Sequence, residues 1–344
     1  MFRWGVLLVA TGCAFKTPIV PDAAPDSVDA APDAPPGPCD LPALTLKVAT
    51  LAGCSEAGTA DGARGAVRFS NPVNVVVSES GIAYVADFDT DRIRKVDATG
   101  KTSTIAQLPK PFGLALDATG YLLVETDDDD TGQHTDSTGT VWRLNPATGA
   151  ATVLARDIGR PRGIAVLPDG RIALADYDHD VVELLDPSTG VVTPLAGALD
   201  MPGHVNGAGS AARFAQPWDV VYADGALIVS EVDNGDLRRV TLAGDVTDAV
   251  PMGSLDQPQG LAIDASGTIY ITEWHGRAVR KYAGGTLSLV AGGTEGYLDT
   301  DTAAQAQFYG VEGVDVTRDG SRIIVADGNH GDGTAFNHVR VVHQ

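Results

Sequence analysis

The sequence predicts an all-β chain folded as a six-bladed β-propeller, and three observations lead there. The 344 residues include 40 glycines and 20 prolines, which leaves little room for long helices, and the apolar 44% falls mostly in short runs of Val, Ile and Leu. From Thr45 onward the chain repeats one unit six times, the mark of a closed or stacked array. Each unit holds short apolar runs and turn signals enough for four antiparallel strands, which is one propeller blade.

The N-terminus reads as an address followed by a tether. Residues Met1 to Gly12 hold one cation (Arg3), the apolar run Trp4-Gly-Val-Leu-Leu-Val-Ala10 and small residues before Cys13. That order predicts a signal peptide over residues 1–12, because the apolar run is too short to span a bilayer. Val9-Ala-Thr-Gly-Cys13 resembles a bacterial lipobox, and the resemblance implies an acylated Cys13 and an exported protein anchored to the cell envelope by lipid only. Ala14 rather than Asp after that Cys points to the outer membrane. Residues 14–43 carry eight prolines among Ala and Asp and cannot bury enough apolar surface to offset the entropy of ordering. Residues 13–44 therefore form the lipidated Cys and a linker, and residues 45–344 the propeller. With lipid on Cys13, Cys39 and Cys54 are the one pair left. In an oxidising compartment a disulfide closing a loop of about 15 residues is worth ~3 kcal/mol, the alternative being two free thiols.

The first strands of the units are Pro72-Val-Asn-Val-Val-Val77, Pro111-Phe-Gly-Leu-Ala-Leu116, Pro161-Arg-Gly-Ile-Ala-Val166, Pro217-Trp-Asp-Val-Val-Tyr222, Pro258-Gln-Gly-Leu-Ala-Ile263 and Val311-Glu-Gly-Val-Asp-Val316. Each leads to a dipeptide ending in Gly, from Ser80-Gly81 to Asp319-Gly320, which supplies the positive φ of a tight hairpin. A second strand ends on an acid in five units: Asp87, Asp176, Glu231, Glu273 and Asp327. The third strand is clearest in Arg92-Ile-Arg-Lys-Val96, and the fourth ends as Leu195-Ala-Gly197 and Val290-Ala-Gly292. The chain stops within the third strand of unit six, while Thr45 to Gly53 ends in the same Leu-Ala-Gly. The N-terminal strand is therefore predicted to complete the last blade and leave no open edge.

Pro-x-Gly, Gly81-Ile-Ala-Tyr-Val-Ala-Asp87, Arg92-Ile-Arg-Lys95 and Leu-Ala-Gly together resemble the NHL repeat, as do Asp61 to Phe69, Asn206 to Phe214 and Asp299 to Phe308. The resemblance covers Thr45 to Gln344. Blade two departs from it with Thr126 in place of the acid, and blade four with Arg238-Arg239 displaced after Asp236-Leu237. NHL propellers are commonly interaction domains, so the resemblance implies a non-catalytic binding module for a protein, peptide or glycan. Similar propellers include a zinc lyase and calcium-dependent lactonases. These imply the alternative, a metal-dependent enzyme with its site on the loop face of the central channel.

The charge narrows the partners. With 45 acidic against 24 basic residues the net charge is −21, which disfavours nucleic acid because phosphate binding depends on Lys and Arg. A monomer facing a protein, peptide or glycan is the expectation. Candidate ligand-binding residues at the channel mouth are those preceding the third position of each first strand: Val73, Phe112, Arg162, Trp218, Gln259 and Glu312. Two loops, Asp87-x-Asp89-x-Asp91 and Asp176-x-Asp178-His179-Asp180, offer alternating carboxylates of the kind Ca²⁺ needs. The competing reading is that Asp87 and Asp176 cap the turn by bonding backbone amides. His179, His275 and His330, from different blades, are the corresponding Zn²⁺ candidates, among six histidines (with His134, His204 and His338) expected on the loop face. The run Asp127 to Asp130 reads as a solvated loop. No nucleophile motif or Gly-rich phosphate loop is present.

Overall fold

The computed structural model describes residues 39–344. Residues 1–38, on which the expected signal peptide, Cys13 and most of the expected linker fall, lie outside them. The described chain forms six antiparallel sheets, four of which run from an inner to an outer strand strictly in chain order. The first comprises Pro72–Val77, Ala83–Asp87, Arg92–Val96 and Thr102–Gln107. The inner strands follow one another around a closed ring, Pro72–Val77 lying between Pro111–Leu116 and Val311–Val316. This is the predicted six-bladed propeller.

Ring closure follows the expectation from the sequence. Val48–Ala52 pairs antiparallel with the last strand, His338–His343, with Thr50 opposite Arg340. The Cys39–Cys54 disulfide is present, bracing the end of that closing strand. In blade four a two-residue strand, Gly207–Ala208, adds to the outer strand Asp245–Val250.

The core lies between neighbouring blades. Phe69, Phe214 and Phe308 are wholly buried, each filling the seam between its own blade and the one before. Over each ring lies a buried guanidinium: Arg94 at 5.0 Å, Arg238 at 5.4 Å and Arg340 at 5.1 Å. Each guanidinium is held by the acid ending the second strand, Asp87, Glu231 or Asp327, at 2.7, 2.8 and 3.0 Å. The preceding loop adds Asp61, Asn206 or Asp299 as a further acceptor. Arg238 is therefore not displaced: it stands opposite Val229 as Arg94 stands opposite Val85. In blade two Thr126 and Trp142 replace the ion pair with a 2.9 Å hydrogen bond from the indole.

Candidate functional site

Every inner strand carries a bulge immediately after its first residue, so the pairing slips between Pro72 and Asn74, Pro111 and Leu114, Pro161 and Gly163, Pro217 and Val220, Pro258 and Leu261, and Val311 and Val314. A bulge frees one residue from the ladder and re-aims its side chain. The freed residues include the six candidates named from the sequence. The third position is Gly where inner strands converge: a Cβ on Gly163 would come within 2.5 Å of the Asp219 Cα. Such close approach tolerates only Gly.

At the mouth opens a cavity of about 630 Å³, and Val73, Phe112, Arg162, Trp218 and Glu312 line it. Gln259 is buried beside them but is not part of the lining. The structure adds Phe88, Asp89, Lys110, Asp127, Arg160, Tyr177 and His330 to the wall. Aromatic rings form one side: Phe112 meets Phe88 at 6.0 Å and Trp218 at 5.7 Å, and Tyr177 meets Trp218 at 5.0 Å, all edge-on. The Arg162 guanidinium lies 3.9 Å over the Phe112 ring.

Polar groups make the other side. Asp127, predicted to be solvated, is fully buried. Its carboxylate takes Arg160 at 2.8 Å and Arg162 at 3.2 Å, so cations from the next blade offset the repulsion its neighbours suggested. Beside it Glu125 is fully buried and accepts the Gly113 N–H. Burial, and then Asp127, push its carboxyl well above the usual range. Glu312 pairs with His330 Nδ1, while its other oxygen is buried without a partner. Burial works against a charged His330, yet the bond to Glu312 leaves its pKa above the ordinary value. The His330 ring stacks on Trp274 with centroids 4.3 Å apart.

The two carboxylate loops do not assemble ligand sets. Asp87 accepts the Ser70 N–H and Arg94, and burial pushes its pKa up to about 6. Asp91 accepts the backbone N–H of Lys110 in the next blade, while Asp89 faces the mouth cavity. Asp176 holds His179 Nδ1 at 2.8 Å and the N–H groups of Asp178 and Arg160, and Asp178 pairs with Arg160. His275 is exposed beside Asp256. Among the described residues no three of Asp87, Asp89, Asp91, Asp176, Asp178, His179, His275 and His330 bring ligand atoms within 4.8 Å of one another. His338 belongs to the closing blade rather than to a loop: it opens the last strand, buried against Tyr297, and burial pushes its pKa down to about 3.

No family model and no curated protein matches the chain. Solved structures do. An auxiliary nutrient binding protein from Bacteroides ovatus superposes with a TM-score of 0.63 at 18% identity, covering 86% of this chain and 75% of that one. A gluconolactonase from Xanthomonas campestris gives 0.59 at 16% identity, covering 91% and 99%. Virginiamycin B lyase from Staphylococcus aureus gives 0.52 at 14% identity, covering 80% and 95%. At these identities the likeness shows the fold, a six-bladed β-propeller, and the fold alone does not assign a function.

Proposed function

We propose that this chain is an envelope-anchored, NHL-type propeller that binds a peptide or glycan segment at its channel mouth. The observation that carries the reading is the cavity itself: aromatic side chains on one wall and charged groups on the other. Apolar and aromatic lining with a few placed polar groups is the usual make-up of a ligand site. The aromatic wall suits a sugar ring or an apolar side chain, and Lys110, Asp89, Glu312 and His330 suit polar substituents. The nutrient-binding protein of the same fold is consistent with this. Binding of a fixed panel of neutral oligosaccharides and short peptides tests it. Trp218→Ala should weaken whichever ligand the panel selects by about tenfold or more, the scale of losing one buried aromatic anchor. Unchanged affinity contradicts the assignment.

A second reading, a propeller enzyme of lyase or lactonase type, is favoured by His330 and Glu312, an acid–imidazole pair on the cavity rim that could move a proton. Turnover of a lactone panel by wild type and not by His330→Ala would replace the binding reading.

The anchor is part of the proposal and rests on the lipobox-like segment before Cys13. Cys13→Ser should shift the protein from the membrane to the soluble fraction. Unaltered partitioning would place the anchor elsewhere.

A further inference from the structure

One cluster lies away from the channel, in the body of blade four. His204, in the loop of residues 198–216, meets Asp236 at the start of the third strand and Asp248 on the fourth. The His204 Nε2 lies 2.8 Å from Asp236 Oδ2 and 3.4 Å from Asp248 Oδ1. Asp236 is fully buried, and no N–H or O–H group is aligned to donate to either of its oxygens, His204 Nε2 at 2.8 Å included. With Nε2 unprotonated, its lone pair and the oxygens of Asp236 and Asp248 are three ligand atoms within 4.8 Å of one another. A buried carboxylate left so costs several kcal/mol, roughly, unless something positive completes it.

The charge balance points the same way. Glu231, Asp236 and Asp248 gather around one guanidinium, Arg238, which already serves Glu231 at 2.8 Å and Asn206 at 2.6 Å.

Two other blades show what these positions hold when no ion is needed. Thr104 and Thr50 stand opposite Arg94 and Arg340 as Asp248 stands opposite Arg238. Arg92 and His338 pair with the strand-ending acids as Asp236 does. In blade six the place of His204 is taken by Tyr297, whose hydroxyl bonds Thr50 at 2.6 Å and whose ring stacks on His338. In blade six, hydroxyls and rings fill that pocket. Blade four alone fills it with an imidazole and two carboxylates.

We propose that His204, Asp236 and Asp248 bind a divalent zinc ion that pins the loop of residues 198–216 to blade four. One imidazole nitrogen with two carboxylate oxygens suits zinc better than the all-oxygen shells of calcium or magnesium. The site is independent of the channel mouth and of the function proposed there.

The test uses the full chain stripped with chelator, dialysed against zinc and assayed for bound metal, with melting curves in parallel. Wild type should retain one zinc and melt a few degrees higher with it, since an ion that binds only the folded state stabilises it. His204→Ala and Asp248→Asn should each lose the stoichiometric zinc and the zinc-dependent rise, while the His275→Ala/His330→Ala double variant keeps both. Should His204→Ala fail to fold, Asp248→Asn and the visible spectrum of the cobalt(II)-loaded wild type carry the test. No retained zinc in wild type, zinc retained by both Asp248→Asn and His204→Ala, or zinc lost in the His275/His330 variant instead would each overturn the proposal.

Discussion

Asp219 and Asp315 show how single side chains stitch the ring from inside. Asp219 accepts the N–H of Leu261 in the next blade, and Asp315 that of Val77 across the closing seam. Each also accepts the N–H of its own successor. The channel wall desolvates both, pushing Asp219 up to about 7 and Asp315 up to about 6. In the unfolded chain a carboxyl titrates near 4, roughly, so between there and about pH 7 the folded state holds a proton that the unfolded state has released. These groups therefore favour the fold fully below the unfolded value, and that contribution is lost as pH rises through the folded one. Asp219→Asn should flatten the decline in melting temperature between about pH 4 and about pH 7 relative to wild type. Parallel curves for the two proteins would show that Asp219 carries no such linkage.

At the scale of the element, what was legible was what the backbone demands locally. Pro at the head of an inner strand, Gly in the hairpin below it and the Leu-Ala-Gly ending are each dictated by a nearby conformation, so blades and closure could be read from one sequence. The bulge residues were legible for the same reason, since six aligned strands put Phe112, Arg162, Trp218 and Glu312 at one height. Groups joined only by tertiary contact were not. Asp127 looked solvated because its neighbours in sequence are acids, and the Arg160 that buries it comes from the next blade. The spacing Asp87-x-Asp89-x-Asp91 suggested convergence, but a one-turn 3₁₀ helix over Phe88–Thr90 sends the three carboxylates to Arg94, the cavity and the next blade. The His204 cluster needs the register of two strand pairs and a loop, and no spacing along the chain announces it. A comparison of equivalent positions between blades four and six was the available signal.

For the whole molecule, the channel mouth exists only because the ring is closed. Inner strands from all six blades set its diameter, and five of them supply lining side chains. Closure depends on Val48–Ala52, which gives the last strand its outer partner and ties into the loop before blade six. The Thr50 N–H donates to Asp299 at 2.8 Å, and Val48 and Thr300 exchange backbone bonds. Without that strand, His338–His343 presents an unpaired edge and Leu51 leaves the seam between blades six and one. The most direct measurement of this account is therefore a pair of melting curves. Deletion of residues 45–53 should lower the melting temperature of the entire ring in one transition, while deletion of residues 14–36 should leave it at the wild-type value. Equal melting temperatures for the two deletions would contradict closure by the N-terminal strand, and with it the origin of the mouth.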